Sequence, residues 1–148
     1  MGACYSVTLK VNVLDEQGAI KALNEHIAND TGVDYSLDRC AAEGVTTETF
    51  DGLMRILLAE CQRKVTIYQH GKFTLYDNDF DASYGWECVM MDWFEVLAPF
   101  LANGSQMLIY PDPHPKTLLA FQNQFCIYTH IFHLLNSQFA HQKGKSIN

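Results

Sequence analysis

Over residues 4–13 apolar and polar positions alternate, with Tyr5, Val7, Leu9, Val11 and Val13 on one side and Ser6, Thr8, Lys10 and Asn12 on the other. A period of two predicts a strand with one buried face, the habit of an antiparallel sheet rather than of a parallel one covered on both faces. The period then lengthens. Asp15 stands where an N-cap belongs, and Ile20, Leu23 and Ile27 fall on one side of a helix that Asn29-Asp30-Thr31-Gly32 stops. Residues 33–45 carry no period, and Tyr35, Leu37 and Cys40 are expected there as plugs against the core. Thr46 or Thr47 opens a second helix that turns Phe50, Leu53, Leu57 and Cys61 inward, with Arg63-Lys64 suited to its C-terminal dipole.

Two β-rich runs, Val65-Thr66-Ile67-Tyr68 and Phe73-Thr74-Leu75-Tyr76, flank Gln69-His70-Gly71-Lys72, where Gly71 supplies the positive φ of a tight hairpin. Alternation continued along the second run puts Phe73, Leu75, Asp77, Asp79 and Asp81 on one side. A side that begins apolar and turns acidic predicts a strand end that projects beyond the sheet. Ser83 is expected to cap the next helix, with Gly85 allowing close approach and Trp86 anchoring the first turn. Trp86, Val89, Met90, Trp93, Phe94, Leu97 and Leu101 share one arc of that helix, and Glu87, Cys88, Met91, Asp92 and Glu95 the other. Pro99 is expected to kink it and Asn103-Gly104 to end it.

Met107-Leu108-Ile109-Tyr110 reads as a short strand stopped by the proline-rich residues 111–115. Two readings compete beyond it. Leu118, Phe121, Phe125, Tyr128, Phe132, Leu135 and Phe139 are spaced alternately three and four apart, as in a long amphipathic helix. Residues 117–121 and 125–129 could instead be a hairpin about Gln122-Asn123-Gln124, although the unbroken run of helical spacings favours the helix. The fold class expected is α+β, a single domain over residues 1–141 with an antiparallel sheet covered by helices, a C-terminal helix or hairpin, and a loose tail over residues 142–148.

Composition narrows the function classes. A chain of 148 residues, 48% hydrophobic and 18% charged, is long enough to build one core without disulfides or metal. Its start has no cationic segment leading into a long apolar run, and nothing approaches 18 uninterrupted apolar residues, so no membrane association and a cytoplasmic location are expected. Met1-Gly2-Ala3-Cys4-Tyr5-Ser6 fits a myristoylation pattern, but the same serine is needed on the outer face of a strand. Cys4, Cys40, Cys61, Cys88 and Cys126 are odd in number with no C-x-x-C spacing, so they are expected reduced, as small core residues.

The net charge of −7 is unevenly placed. Between Phe73 and Pro115 stand seven acids (Asp77, Asp79, Asp81, Glu87, Asp92, Glu95 and Asp112) and no Lys or Arg, while ten acids balance ten bases elsewhere. Direct nucleic-acid binding by this window is disfavoured, because phosphate contacts need cations.

Asp77-Asn78-Asp79-Phe80-Asp81 opens like a calcium loop, but Ala82 stands where the turn wants Gly, and Cys88 where a bidentate Glu is needed. Cys126, His130 and His133 would lie within two turns of a C-terminal helix, with His114 or His141 as a fourth zinc ligand, yet the spacing matches no zinc signature closely. No catalytic motif and no resident cofactor or metal are expected.

The block from Ala82-Ser83-Tyr84-Gly85-Trp86-Glu87-Cys88 through Phe94-Glu95-Val96-Leu97-Ala98-Pro99-Phe100-Leu101 to Ile109-Tyr110-Pro111-Asp112 resembles a family of small uncharacterised proteins of phages and mobile elements of Gram-positive bacteria. The resemblance spans residues 4–112 and transfers no catalytic residue. It implies an accessory job, such as inhibition of host defence by anti-CRISPR proteins.

The leading expectation is a non-enzymatic inhibitor that mimics nucleic acid, its acids docking on the basic groove of a nuclease or other nucleic-acid-binding protein. Asp77, Asp79, Asp81, Glu87, Asp92 and Glu95 would carry the field, with Tyr84 and Met91 as apolar anchors. The alternative is a metal-dependent hydrolase or phosphoryl-transfer enzyme that uses Asp77, Asp79 and Asp81 as ligands. A third reading is a homodimer through the C-terminal apolar stripe.

Overall fold

The computed structural model describes residues 2–59, 65–111, 116–121 and 124–128. The alternating N-terminal run forms β1 (Gly2–Val11), which buries Tyr5, Val7, Leu9 and Val11. This strand lies in the middle of the sheet. On one side it pairs along its whole length with β3 (Phe73–Ser83), and on the other with β4 (Gln106–Pro111), both antiparallel. β2 (Thr66–His70) pairs with β3 through a hairpin whose Gly71 has a φ of 62°. β5 (Lys116–Phe121) and β6 (Gln124–Tyr128) complete a six-stranded antiparallel sheet of order β2-β3-β1-β4-β5-β6.

Helices cover one face of this sheet, so the fold is α+β. α1 (Glu16–Asn29) is capped by Asp15, whose Oδ1 accepts a hydrogen bond from the Gly18 N–H at 2.9 Å, and it buries Ala19, Leu23 and Ile27. α3 (Phe50–Ala59) buries Leu53, Met54, Ile56, Leu57 and Leu58, and α4 (Trp86–Leu97) buries Met90, Trp93, Phe94 and Leu97. These side chains form one core with the inward residues of the sheet: Tyr5, Val7, Leu9 and Val11 of β1, Tyr76 and Phe80 of β3, and Met107 and Ile109 of β4. Among the described residues no helix is long and apolar enough to cross a membrane.

Several local expectations are corrected. The irregular stretch contains a short helix, α2 (Leu37–Ala42); Tyr35 and Cys40 are buried as plugs, but Leu37 is 40% exposed. Cys40 is also in a disulfide, so the expectation of reduced cysteines does not hold there. The second long helix begins at Phe50 rather than near Thr46, because the Thr49 hydroxyl accepts from the Gly52 N–H at 3.0 Å and serves as its cap. Ser83 does not cap α4: Gly85, at φ 87°, is its N-cap residue and offers no side chain. That helix is not kinked at Pro99 but stops at Leu97 and tightens into a 3-10 turn over Ala98–Phe100. Proline is tolerated in such a first turn because the N–H it lacks would have no partner there.

Two corrections bear on function. The acidic end of β3 does not project beyond the sheet, since β1 pairs with it as far as Ser83↔Gly2. After β4 the chain forms the hairpin β5–β6 rather than the favoured helix as far as Tyr128. The edge of β4 leaves backbone groups to be paired, and β5 pairs them from Gln106↔Leu119 to Ile109↔Lys116. The turn before β4 joins in, with the Ala120 N–H donating to the Ser105 carbonyl at 2.8 Å and the Gly104 N–H to the Ala120 carbonyl at 3.2 Å. The helical stripe expected to pair two copies therefore does not form over residues 116–121 and 124–128, whose backbone is strand. His114, His130, His133 and His141, the Cys126 side chain, the apolar positions 132, 135 and 139, and the tail over 142–148 all lie outside what is described.

Candidate functional site

The face of the sheet turned away from the helices carries the acids. Register sets Asp77 opposite Thr8, Asp79 opposite Ser6 and Asp81 opposite Cys4, while Thr66 faces Asp77 from the other side. Because the buried positions of β3 are Tyr76, Asn78 and Phe80, the carboxylates between them point to the open face. Alternate residues of a strand stand about 7 Å apart, so the three form a row about 14 Å long. Toward the hairpin the same face becomes apolar and then cationic: Leu75 lies opposite Lys10, whose Nζ sits 4.5 Å from the centre of the Phe73 ring.

A shallow groove of about 500 Å³ lies along this row, lined by Ser6, Thr8, Thr66, Asp77, Asn78 and Asp79. The Tyr68 hydroxyl donates to Asp77 Oδ2 at 2.6 Å, which raises the phenol above its ordinary value. Asp77 Oδ1 is buried and has no donor among the described residues. Asp79 and Asp81 are exposed. Cys4 is raised as well, first by desolvation and then by the neighbouring charge of Asp81 and, to a smaller extent, Asp79. The thiol thus responds to the negative field of the row.

The groove sits where β2 leaves the sheet. Thr66↔Asp77 is the last pair between β2 and β3, and beyond it residues 78–83 of β3 are paired only on the β1 side among the described residues. Asn78 turns inward there, its Nδ2 donating to the Leu58 carbonyl at 3.5 Å.

The other expected site residues are not on this surface. α4 packs on the covered face, so the outer arc of the helix points away from the sheet, and Asp92 and Glu95 are exposed on the opposite side of the molecule from the row. Glu87 is half-buried, its Oε2 accepting a 2.7 Å hydrogen bond from the Tyr5 hydroxyl, which also lies 3.1 Å from the Ser83 carbonyl. Burial, and then this carboxylate, push the Tyr5 phenol up to about 12. Asp92 belongs to a separate acidic group: the Tyr35 hydroxyl donates to Asp30 Oδ2 at 2.8 Å, and burial first, then Asp30 and finally Asp92, raise that phenol. Met91 is half-buried and packs against the core, whereas Tyr84, in the turn between β3 and α4, is 68% exposed. The single acidic surface expected along strand and helix is therefore two surfaces in different layers.

Neighbours of the row that had not been singled out, Cys4, Ser6, Thr8, Thr66 and Tyr68, come from the two flanking strands. The alternation of β1 had marked Ser6 and Thr8 as outward, but only the β1–β3 register brings them beside the aspartates. The calcium-loop likeness dissolves, since residues 77–81 are continuous strand. Among the described residues no group of three His, Cys, Asp or Glu is placed to hold a metal ion. A second groove, of about 560 Å³, lies by α2 and mixes Asp34 and Asp38 with Arg39, so it carries no row of one charge. Compared with known proteins, the chain matches no family model, no curated protein and no solved structure.

Proposed function

We propose that this protein is a non-enzymatic binder whose open sheet face docks on the basic groove of a partner protein of the kind that binds nucleic acid. One observation carries the reading: Asp77, Asp79 and Asp81 stand in a single row on an uncovered face. No ion pair to any of the three is formed among the described residues. A row with one charge per 7 Å has roughly half the axial charge density of a single DNA strand, which suffices to steer a cationic groove toward it. Thr8, Ser6 and Thr66 flank the row with hydroxyls, and Tyr84 offers an exposed ring beyond the end of β3. Inhibition of a host defence nuclease would be one use of such a surface. The rival reading, a metal-dependent hydrolase, has less support because carboxylates this far apart along a regular strand do not converge on one ion.

The test is capture of host proteins on the immobilised chain, beside the double charge reversal Asp79→Lys/Asp81→Lys. A basic partner held by the native chain at low salt should be lost from the variant and released by about 0.5 M salt, where screening shortens the reach of the field. The variant should keep its unfolding transition, since exposed substitutions typically change stability by no more than about 0.5 kcal/mol. Retention of the same partner by the reversed chain would refute the reading.

A further inference from the structure

We propose that the edge of β3 over residues 78–83, beside which no strand lies among the described residues, receives an extended basic segment of the partner, which joins the sheet as a strand in line with β2 and places alternate Lys or Arg side chains beside Asp79 and Asp81. This deepens the reading above and rests on it.

Backbone geometry supplies the slot. Each residue of an antiparallel strand directs its N–H and C=O to one flank, and successive residues alternate flanks. Residues 78–83 satisfy the β1 flank through the ladder that ends at Ser83↔Gly2. Groups on the other flank have no strand beside them among the described residues, because β2 goes no further than Thr66. The ladder with β1 runs through this stretch without a bulge, and the stretch holds no proline, so two of the usual devices that spoil an edge are missing.

The charge selects the occupant. An added strand would lie about 4.8 Å from β3, with its outward side chains about 5 Å, Cβ to Cβ, from those of Asp79 and Asp81. At that distance like charges oppose pairing and opposite charges favour it. A second copy of this chain docking the same edge would bring aspartate rows together and is disfavoured. A segment with a cation at every second residue is matched, and Asp77 Oδ1, buried and lacking a donor among the described residues, stands at the near end of the slot. Main-chain bonds would give the affinity and the alternating cations the selectivity, as in other cases of strand addition.

The probe is an alternating Lys-Thr peptide long enough to span the edge, titrated against the full chain. Two companions carry N-methyl groups on all lysines or on all threonines, which removes N–H donors from one flank of the peptide or the other. The parent should bind, and one methylated series should match it while the other is weaker by about ten-fold or more. Amide hydrogen exchange should slow within residues 78–83. If all three peptides bind equally and exchange over 78–83 is unchanged, strand addition is wrong while the acidic docking surface stands. If none binds at low salt, both readings fall. The Asp79→Asn/Asp81→Asn chain separates charge from edge: it should lose the salt dependence, and an undiminished salt dependence would overturn the choice of a basic occupant.

Discussion

Asp77 and Asp81 occupy the same face of the same strand yet meet different chemistry, because one lies beside a phenol and the other beside a thiol. Asp77→Asn replaces the carboxylate that raises Tyr68 with a neutral amide, so the phenol should titrate closer to its ordinary value in an NMR titration of the tyrosine ring. Asp81→Asn should lower Cys4 in the same way and speed its alkylation near neutral pH, since the thiolate is the reactive form. A rate unchanged by that substitution would deny the row its local field. Tyr5 and Tyr76 are buried, and each phenol is pushed up from 10.0 to about 12, mainly by desolvation. The folded value lies above the unfolded one, so the neutral phenol is the form that folding favours. Its contribution is complete below about pH 10 and is lost as the pH rises toward 12. Denaturant unfolding followed across that window should show stability falling as tyrosinate absorbance grows. The burial of Tyr5 was legible from alternation alone; the bond to Glu87, 82 positions away, was not, because it depends on how the end of β3 meets the start of α4.

Among the elements, β1, α1, the β2–β3 hairpin and most of α4 formed close to where the sequence placed them, and the discrepancies fall where backbone contacts decide. α3 starts late because Thr49 caps it, and Gly52 in its first turn passes so close to the Thr46 carbonyl that a Cβ there would lie 1.9 Å from its oxygen. Gly52→Ala should therefore cost about 2–4 kcal/mol of unfolding free energy, by cooperative denaturation, as a buried backbone clash does. Gly44→Ala, at φ 77° with nothing within 4 Å of the added Cβ, should cost only about 1–2 kcal/mol from backbone strain. The C-terminal hairpin shows the limit of periodicity. Apolar residues spaced three and four apart fit a helix, but residues 116–128 are also rich in aromatic and β-branched residues, and an unpaired β4 edge rewards extended chain. Periodicity along one segment cannot register a demand made by another. Cys40 teaches the same lesson, for the cysteine count gave no hint of its bridge. Cys40→Ser should lower stability by about 2–4 kcal/mol under oxidising conditions and by much less in reductant.

At the scale of the whole molecule, two layers divide the acids. The composition revealed a window of one charge, and Asp77, Asp79 and Asp81 do gather into one row, but Glu87, Asp92 and Glu95 ride on a helix behind the core. Strand alternation and helical arcs each describe a face of their own element, and only the packing of α4 against the covered side of the sheet determines that these faces look in opposite directions. The position of β1 between β3 and β4 has a further consequence, for synthesis on the ribosome. Its neighbours are residues 74–83 and 106–111, which emerge some 60 to 110 residues after it. At about 5–20 residues per second, β1 waits several seconds or longer for the strands that pair its two backbone edges. The growing chain thus carries unpaired strand edges, and slower translation should prolong their exposure.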